Sequence, residues 1–373
     1  VSNSNTPQSS IVSEAVRNFL GPIIELWDDP TVTEILVNGP FDIFVERKGI
    51  LQKTDKKFAD EDSLRAAVNN IAQSVGRRIS FEEPRLDARL PDGSRVAVVI
   101  PPCARNGTTV SIRKFTQTKI SFKDYINLGS ITPEAAFFLD ACVFLGKNTL
   151  VSGGTGSGKT TLLALLGSRI PKNQRIIVIE DSSELKLNHD HAVFFETKQA
   201  DSLGKGEVTI RDLLKSSLRL RPDRIIVGEV RSAEALELIQ AMNTGHKGSM
   251  GTIHANSAED AMVRLEALAS GGDGKLSEKA LRYQVASAVE IVVQISRISD
   301  GSRKIMAISE ILGFDEHGNY QVAPIFQLGR LVRGSDGKLI GQLEPTGHVP
   351  TFLQEMIDNK LPFSAEKFKK RAA

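Results

Sequence analysis

The sequence is poor in the residues on which several kinds of protein depend. Of its 373 residues, two are cysteine (Cys103 and Cys142), one is tryptophan and three are tyrosine. Two cysteines outside any metal-ligand spacing exclude a disulfide-stapled scaffold and a zinc module. Both read as small buried hydrophobes, left unpaired in a reducing compartment. No run of about 20 apolar residues occurs, so no integral membrane segment is expected, and no secretory signal opens the chain. An excess of one charge is also lacking: 47 Lys and Arg against 45 Asp and Glu leave a net charge of +2. With so little surplus charge, so few Tyr and Trp and no basic–aromatic stripe, no nucleic-acid partner is expected. The first residue is Val1 rather than Met, which reads as a processed chain or a piece of a longer one, with a segment missing upstream.

What is present suits two globular domains: 40% of residues are hydrophobic and 25% charged, enough for sizeable cores. Residues 1–10 (VSNSNTPQSS) are polar and read as a disordered arm. Val12, Val16, Phe19, Leu20, Ile23 and Trp27 then follow helical spacing, interrupted by Gly21-Pro22. Residues 1–30 are therefore assigned as an arm and a helical segment, and 31–117 as a small α+β domain. In that domain Thr33–Asn38 and Asp42–Arg47 are short strands split by Gly39-Pro40. Leu64, Ala67, Val68, Ile71 and Val75 line one face of a helix that Asp60 can cap. Arg85–Leu90 and Ser94–Ile100 flank Pro91-Asp92-Gly93, a hairpin signature, and Thr108–Phe115 is a further strand. An antiparallel sheet with a helix on one face is predicted.

The polar stretch 118–130 reads as a linker. Thr132-Pro133-Glu134 opens a helix, with Pro133 in its first turn. From there strands (Asn148–Ser152, Arg175–Glu180, Arg224–Gly228, Gly248–His254) alternate with helices (Lys159–Arg169, Ile210–Arg219, Ala233–Asn243, Leu276–Ala288). Such alternation predicts a largely parallel α/β sheet with helices on both faces over 131–373. The strand-rich run Glu290–Val332 extends it. The basic tail Glu366–Arg371 reads as a solvated end.

Gly153-Gly154-Thr155-Gly156-Ser157-Gly158-Lys159-Thr160 fits G-x-x-x-x-G-K-[ST], after one predicted strand and before one predicted helix, the context that identifies a P-loop. Glycines let consecutive N–H groups curl inward onto phosphate oxygens, and the helix that follows points its positive end at the same anion. The expected ligand is ATP with Mg²⁺, bound across Gly153–Thr161. Lys159 faces the β- and γ-phosphates and the Thr160 hydroxyl ligates Mg²⁺.

A P-loop also needs a carboxylate near the metal and a group that positions the attacking water. Ligands of parallel sheets sit at the carboxyl ends of strands, and two apolar strands end in acids: Ile176–Ile179 runs into Glu180-Asp181, and Ile225–Gly228 into Glu229. Either glutamate suits either task. Glu180 is assigned to water activation and Glu229 to the Mg²⁺ shell, with Glu184 a weaker candidate. His254 closes a run of small residues and is a candidate sensor of the γ-phosphate, with His246 ranked behind it.

These residues resemble a known family. IEDSSEL at 179–185, LRLRPDRIIVGEVR at 218–231 and TGHKGSMGTIHAN at 244–256 resemble the acidic box, Walker B region and histidine box of the type II/type IV secretion ATPases. RLDARLPDGSRVAVVIPP at 85–102 and SIRKF at 111–115 resemble their amino-terminal domain. Within that superfamily the sequence is most similar to the CpaF/TadA branch, the motors of tight-adherence (Flp) pili, although Met250-Gly251 stands where that branch leads one to expect a Leu-Ser-like pair. The resemblance implies a RecA-like motor domain behind a PAS-like amino-terminal domain, and a homohexameric ATP hydrolase on the cytoplasmic side of a bacterial inner membrane. It implies work on inner-membrane pilus platform proteins, and ATP held between the domains, with Arg95 and Arg113 by motif position closing on its phosphates. Arg219, Arg221 and Arg231 flank the Glu229 strand as further candidates. A conjugative or effector secretion ATPase is the nearest alternative. A RecA-like nucleic-acid translocase would show DNA- or RNA-stimulated turnover, and a non-catalytic switch would tolerate Glu180→Gln.

Overall fold

The structure, a computed structural model, describes residues 20–47, 49–114, 120–200, 204–272, 276–335 and 337–370. The expected arm and first helical turns (1–19), part of the expected linker (118–119) and Arg371 of the tail lie outside the described residues. The chain divides into two compact units, Val1–Lys119 and Ile120–Ala373.

The first unit is built on six antiparallel strands: β1 (Val32–Asn38), β2 (Ile43–Arg47), β3 (Ile50–Lys53), β4 (Arg85–Arg89), β5 (Arg95–Val99) and β6 (Thr109–Arg113), in the order β3-β2-β1-β6-β5-β4. Period-2 alternation gives the sheet two unlike faces. Ile35, Val37, Val45, Leu86, Val96, Val98, Val110 and Ile112 point inward onto Leu64, Val68 and Ile71 of the helix Glu61–Ser74. Asp60 caps that helix as expected, in a reciprocal capping box with Ser63. At the Pro91-Asp92-Gly93 turn, Asp92 Oδ1 accepts from the Ser94 N–H at 2.9 Å, and Gly93 takes φ 92°, a left-handed conformation that other residues resist. Leu20, Ile23 and Leu26 are buried in this same core, so the helical segment before β1 is a packed part of the unit.

The second unit carries a nine-stranded sheet. Its strands are β7 (Thr149–Ser152), β8 (Ile176–Glu180), β9 (Ala192–Glu196), β10 (Arg224–Val230), β11 (Met250–Ile253), β12 (Ile291–Arg297), β13 (Arg303–Phe314) and β14 (Tyr320–Leu328). A two-stranded ribbon, β15 (Val332–Arg333) with β16 (Leu339–Ile340), precedes the ninth strand, β17 (Leu343–Pro345). The order is β17-β14-β13-β12-β7-β11-β10-β8-β9, parallel from β12 to β9 and antiparallel beyond β12. Strands β7, β8 and β11 are buried at every position, as expected of parallel strands covered on both faces. On one face Leu162, Leu163 and Leu166 of the helix Lys159–Gly167 pack with Phe138, Leu139 and Val143 over Val151, Val178, Ile226 and Val293. On the other, the helices Ile210–Ser217, Glu234–Asn243, Ala258–Ser270 and Glu278–Ala288 cover Leu150, Ile177, Ile179, Ile225, Val227 and Val292.

Several expectations change. The stretch read as a linker holds a capped helix, Phe122–Asn127, and Tyr125 and Ile131 are buried in the second unit's core. The tail is docked rather than solvated: Phe368 is fully buried among Phe138, Phe326 and Phe363. Cys142 is buried, but Cys103 is exposed in the turn after Pro101-Pro102. No helix among the described residues is long and apolar enough to cross a membrane.

Candidate active site

Register decides which residues meet. In the parallel ladder Ser152 stands beside Ile253 on one side and Gln294 on the other. Gly153 therefore leaves the sheet next to His254, and its N–H donates to the Ile253 carbonyl at 3.3 Å. The loop then turns through Gly156 (φ 68°) and Gly158 (φ 96°) into the helix that starts at Lys159. The four glycines answer to different demands. Gly156 and Gly158 need the left-handed region. A Cβ on Gly153 would sit 2.2 Å from the Ile295 carbonyl oxygen, whereas one on Gly154 would meet nothing within 4 Å.

Lys159 is buried, and its Nζ donates to the Gly154 carbonyl at 2.9 Å, folding the ammonium back over the loop. Ser157 Oγ is buried with no hydrogen-bond partner, on the side of Gly153 that Ile295 also occupies. Thr155 is exposed, and Thr160 and Thr161 are half-buried at the helix start. These features fit a polyphosphate with its divalent cation: an inward-curled amide loop, a helix N-terminus, an ammonium and a threonine hydroxyl.

Glu180 ends β8 on the face that carries Val178, the face covered by the P-loop helix. It is 3% exposed, and its Oε1 accepts the N–H of Glu184 at 2.8 Å and of Leu185 at 2.9 Å. Two amide donors fix the carboxylate's direction. Glu184 thus serves here through its backbone. Beneath Glu180 lies Gly228 of β10, where a Cβ would come within 2.9 Å of Glu180 Cγ. Gly228 and Glu229 occupy an irregularity in the β10–β11 ladder, since Val227 stands beside Gly251 but Val230 beside Ile253. Bulges of this kind re-aim side chains at strand ends. Glu229 emerges half-exposed, and Arg231 holds its Oε2 at 2.6 Å while standing 3.8 Å from Asp181.

His254 is half-buried. Burial, then the positive charge of Lys159, hold its ring below the usual histidine value, with Glu229 pulling the other way. The imidazole thus shares a field with Lys159 and Glu229 and is kept neutral near pH 7. His246 precedes β11 at its amino end, a strand length of about 13 Å from that edge. It is not brought to the site, and neither are Arg219 and Arg221, which precede β10.

Arg95 and Arg113 belong to the first unit. They stand directly opposite each other on β5 and β6, with Arg89 beyond Arg95 and Glu34 beyond Arg113. The row Glu34–Arg113–Arg95–Arg89 crosses four strands on the face away from the helix. The arginines were legible as motif positions; their alignment was not, because it depends on the register of three strands. The sequence also gave no warning of Gly228 under Glu180. Nor did it single out Gln294, whose Nε2 donates at 3.3 Å to the Ala255 carbonyl, which Ser152 Oγ also reaches at 3.4 Å. Both contacts steady the segment that carries His254.

Compared with known proteins, residues 17–331 match the family model described as type II/IV secretion system protein. A putative conjugal transfer protein of Mycobacterium tuberculosis is 38% identical over 283 residues, covering 74% of this chain and 80% of that protein. The type IV secretion system protein VirB11 of Bartonella henselae is 32% identical over 329 residues, covering 79% of this chain and 92% of its own length. Among solved structures, the Legionella pneumophila ATPase DotB superposes with a TM-score of 0.57 at 19% identity, covering 81% of this chain and 82% of that one, which is a likeness of fold.

Proposed function

The chain belongs to the type II/IV secretion system protein family, and from that premise we propose that it is a P-loop ATPase that converts binding and hydrolysis of MgATP into movement of a membrane-anchored assembly. Its fold is the mixed α/β, RecA-like fold of the secretion ATPases. The observation that carries the reading is the shared carboxyl edge, where the Gly153–Thr161 loop, Glu229 and His254 meet and Glu180 lies on the P-loop helix's face of the sheet.

The roles follow from chemistry. Loop amides and Lys159 bind and orient the polyphosphate. Thr160 and Glu229 would hold Mg²⁺, which would supply positive charge to neutralise the phosphates. Glu180, aimed by two amides, is positioned to orient the attacking water. His254, neutral at pH 7, can hydrogen-bond the γ-phosphate and register its loss. Arg95 and Arg113 are proposed to neutralise charge that builds up during transfer. The differential affinity of open and closed forms for ATP does the work, since a ligand that binds both equally shifts neither.

At the finer level, the motif likeness supports a homohexameric motor of tight-adherence (Flp) pili, working at the cytoplasmic face of the inner membrane on platform proteins. The relatives, a putative conjugal transfer protein and the type IV secretion system protein VirB11, favour a second reading, a conjugative or effector secretion motor. Deleting the gene separates them: loss of surface pili with intact transfer supports the first, the reverse the second. The ATPase reading itself is tested with purified protein. Wild type is expected to hydrolyse MgATP, Lys159→Ala to lose nucleotide binding, and Glu180→Gln to retain bound ATP without turnover. Undiminished binding and turnover in Lys159→Ala would overturn it.

A further inference from the structure

We propose that Arg303 is a positioning residue of the phosphate loop: from the hairpin between β12 and β13 it keeps the Gly156 carbonyl turned out of the anion cradle. The proposal rests on the P-loop reading above and adds a residue that no motif contains.

An amide nest captures an anion only while its N–H groups face inward and its carbonyls face outward. In a glycine-rich loop, little in the chain itself resists rotation of a peptide plane. A rotated Gly156–Ser157 plane would put a carbonyl oxygen against the phosphates. Something outside the loop must therefore hold it. Arg303 donates from Nε to the Gly156 carbonyl at 3.1 Å. Its Cδ would lie 3.2 Å from a Cβ on Gly158, so the arginine's stem runs along the back of the loop. Ile295, on the same hairpin, backs Gly153 with its carbonyl and Cγ2, and Arg297 lies beyond Gly156.

The base of this clamp is itself held. Ile298 donates to the Ser302 carbonyl at 2.9 Å across the hairpin end. Asp300 accepts the Ser302 N–H at 2.9 Å and the Leu339 N–H at 2.6 Å, tying the hairpin to β16. These bonds keep Asp300 ionised, its pKa lowered to about 2. Lys304 Nζ reaches the Gly129 carbonyl at 2.8 Å. The donor that touches Gly156 is thus mounted on a fixed support.

Glutamine supplies a discriminating variant, because its Nε2 is as many bonds from Cβ as the arginine Nε. Arg303→Gln keeps an N–H donor in place without the charge; Arg303→Met removes both. Arg303 is exposed, so both variants should fold, and thermal melts check this. The readouts are binding of a fluorescent ADP analogue and steady-state MgATP turnover by the full chain. Arg303→Met is expected to raise Kd and KM by about tenfold, the worth of one hydrogen bond, with kcat within about twofold. Arg303→Gln is expected to stay within about twofold of wild type throughout. The proposal fails if Arg303→Met binds as wild type, if Arg303→Gln loses as much as Arg303→Met, or if kcat falls at unchanged KM. Wild-type binding is read first: its absence would sink the P-loop reading, whereas a binding wild type with an unaffected Arg303→Met sinks only the clamp.

Discussion

The two sheets present charge in different ways. The six-stranded antiparallel sheet buries one face on the helix Glu61–Ser74 and leaves the other available, so charged side chains can stand in rows across strands, as Glu34, Arg113, Arg95 and Arg89 do. The nine-stranded sheet is covered on both faces, and its parallel strands are apolar almost throughout. Its chemistry is pushed to one edge, where strands end and loops begin. A residue on an open face can be exchanged without disturbing the core beneath it. A residue at a strand end depends on backbone geometry that the core enforces. Function and stability should therefore separate in the first unit and stay entangled in the second.

The sharpest way to break that contrast is to remove the face arginines. Arg95→Ala and Arg113→Ala are each expected to cut MgATP turnover by on the order of 10²–10³, the scale of a lost charge-neutralising group. Because both side chains lie on the open face, stability should move by no more than about 0.5 kcal/mol. Paired measurements of turnover and denaturant midpoint check this. A large stability loss with modest loss of turnover would make the arginine row structural and erase the distinction.

The edge of the second unit should behave oppositely. Gly153→Ala drives a Cβ to 2.2 Å from the Ile295 carbonyl, an overlap that only movement of the backbone relieves, and should cost about 3 kcal/mol. Gly154→Ala meets open space and should cost under about 1 kcal/mol. Gly228→Ala pushes on Glu180 Cγ and is expected to lower turnover by about tenfold through misdirection of the carboxylate, with a smaller loss of stability than Gly153→Ala. Urea midpoints set beside kcat give the ranking. If Gly153→Ala and Gly154→Ala proved equal, the crowding by Ile295 would not be what demands glycine there.

The same contrast explains what could be read from the sequence. The P-loop, the hairpin at Pro91-Asp92-Gly93 and the cap at Asp60 are local: their residues lie within a few positions of one another, and their chemistry follows from type and spacing. Glu180 and Glu229 were legible as acids at the ends of apolar strands. Their different supports were not, because Gly228 lies under Glu180 only once β8 and β10 are paired. Arg303 sits far from Gly156 in sequence, and nothing in its surroundings marks it. The segment 120–130 was misread because its helix is six residues long, too short to show periodicity. β9 went unseen because edge strands alternate weakly, and its residues range from half-buried to exposed.

The smallest predicted effect tests whether the carboxyl edge is one electrostatic unit. His254 titrates below its ordinary value near 6.5, because burial disfavours the imidazolium and the Lys159 ammonium repels it, while Glu229 favours it. A histidine whose folded-state pKa is depressed binds its proton first in the unfolded chain. Its contribution to stability is therefore intact above about pH 6.5 and is lost as pH falls through the folded value. Lys159→Met removes one of the four depressing influences, the others being burial, Arg264 and Arg231, so the His254 pKa should rise toward its ordinary value; Glu229→Gln removes the opposing one and should lower it further. Imidazole C2–H shifts followed by NMR across a pH titration, with His254→Gln to assign the resonance, measure both movements. Opposite shifts in the two variants would mean that a cation, an anion and an imidazole from three different strand ends sense one another across the site. A His254 that ignored both would reduce the edge to three neighbouring residues with separate histories, and its proposed reading of the γ-phosphate would lose its electrostatic basis.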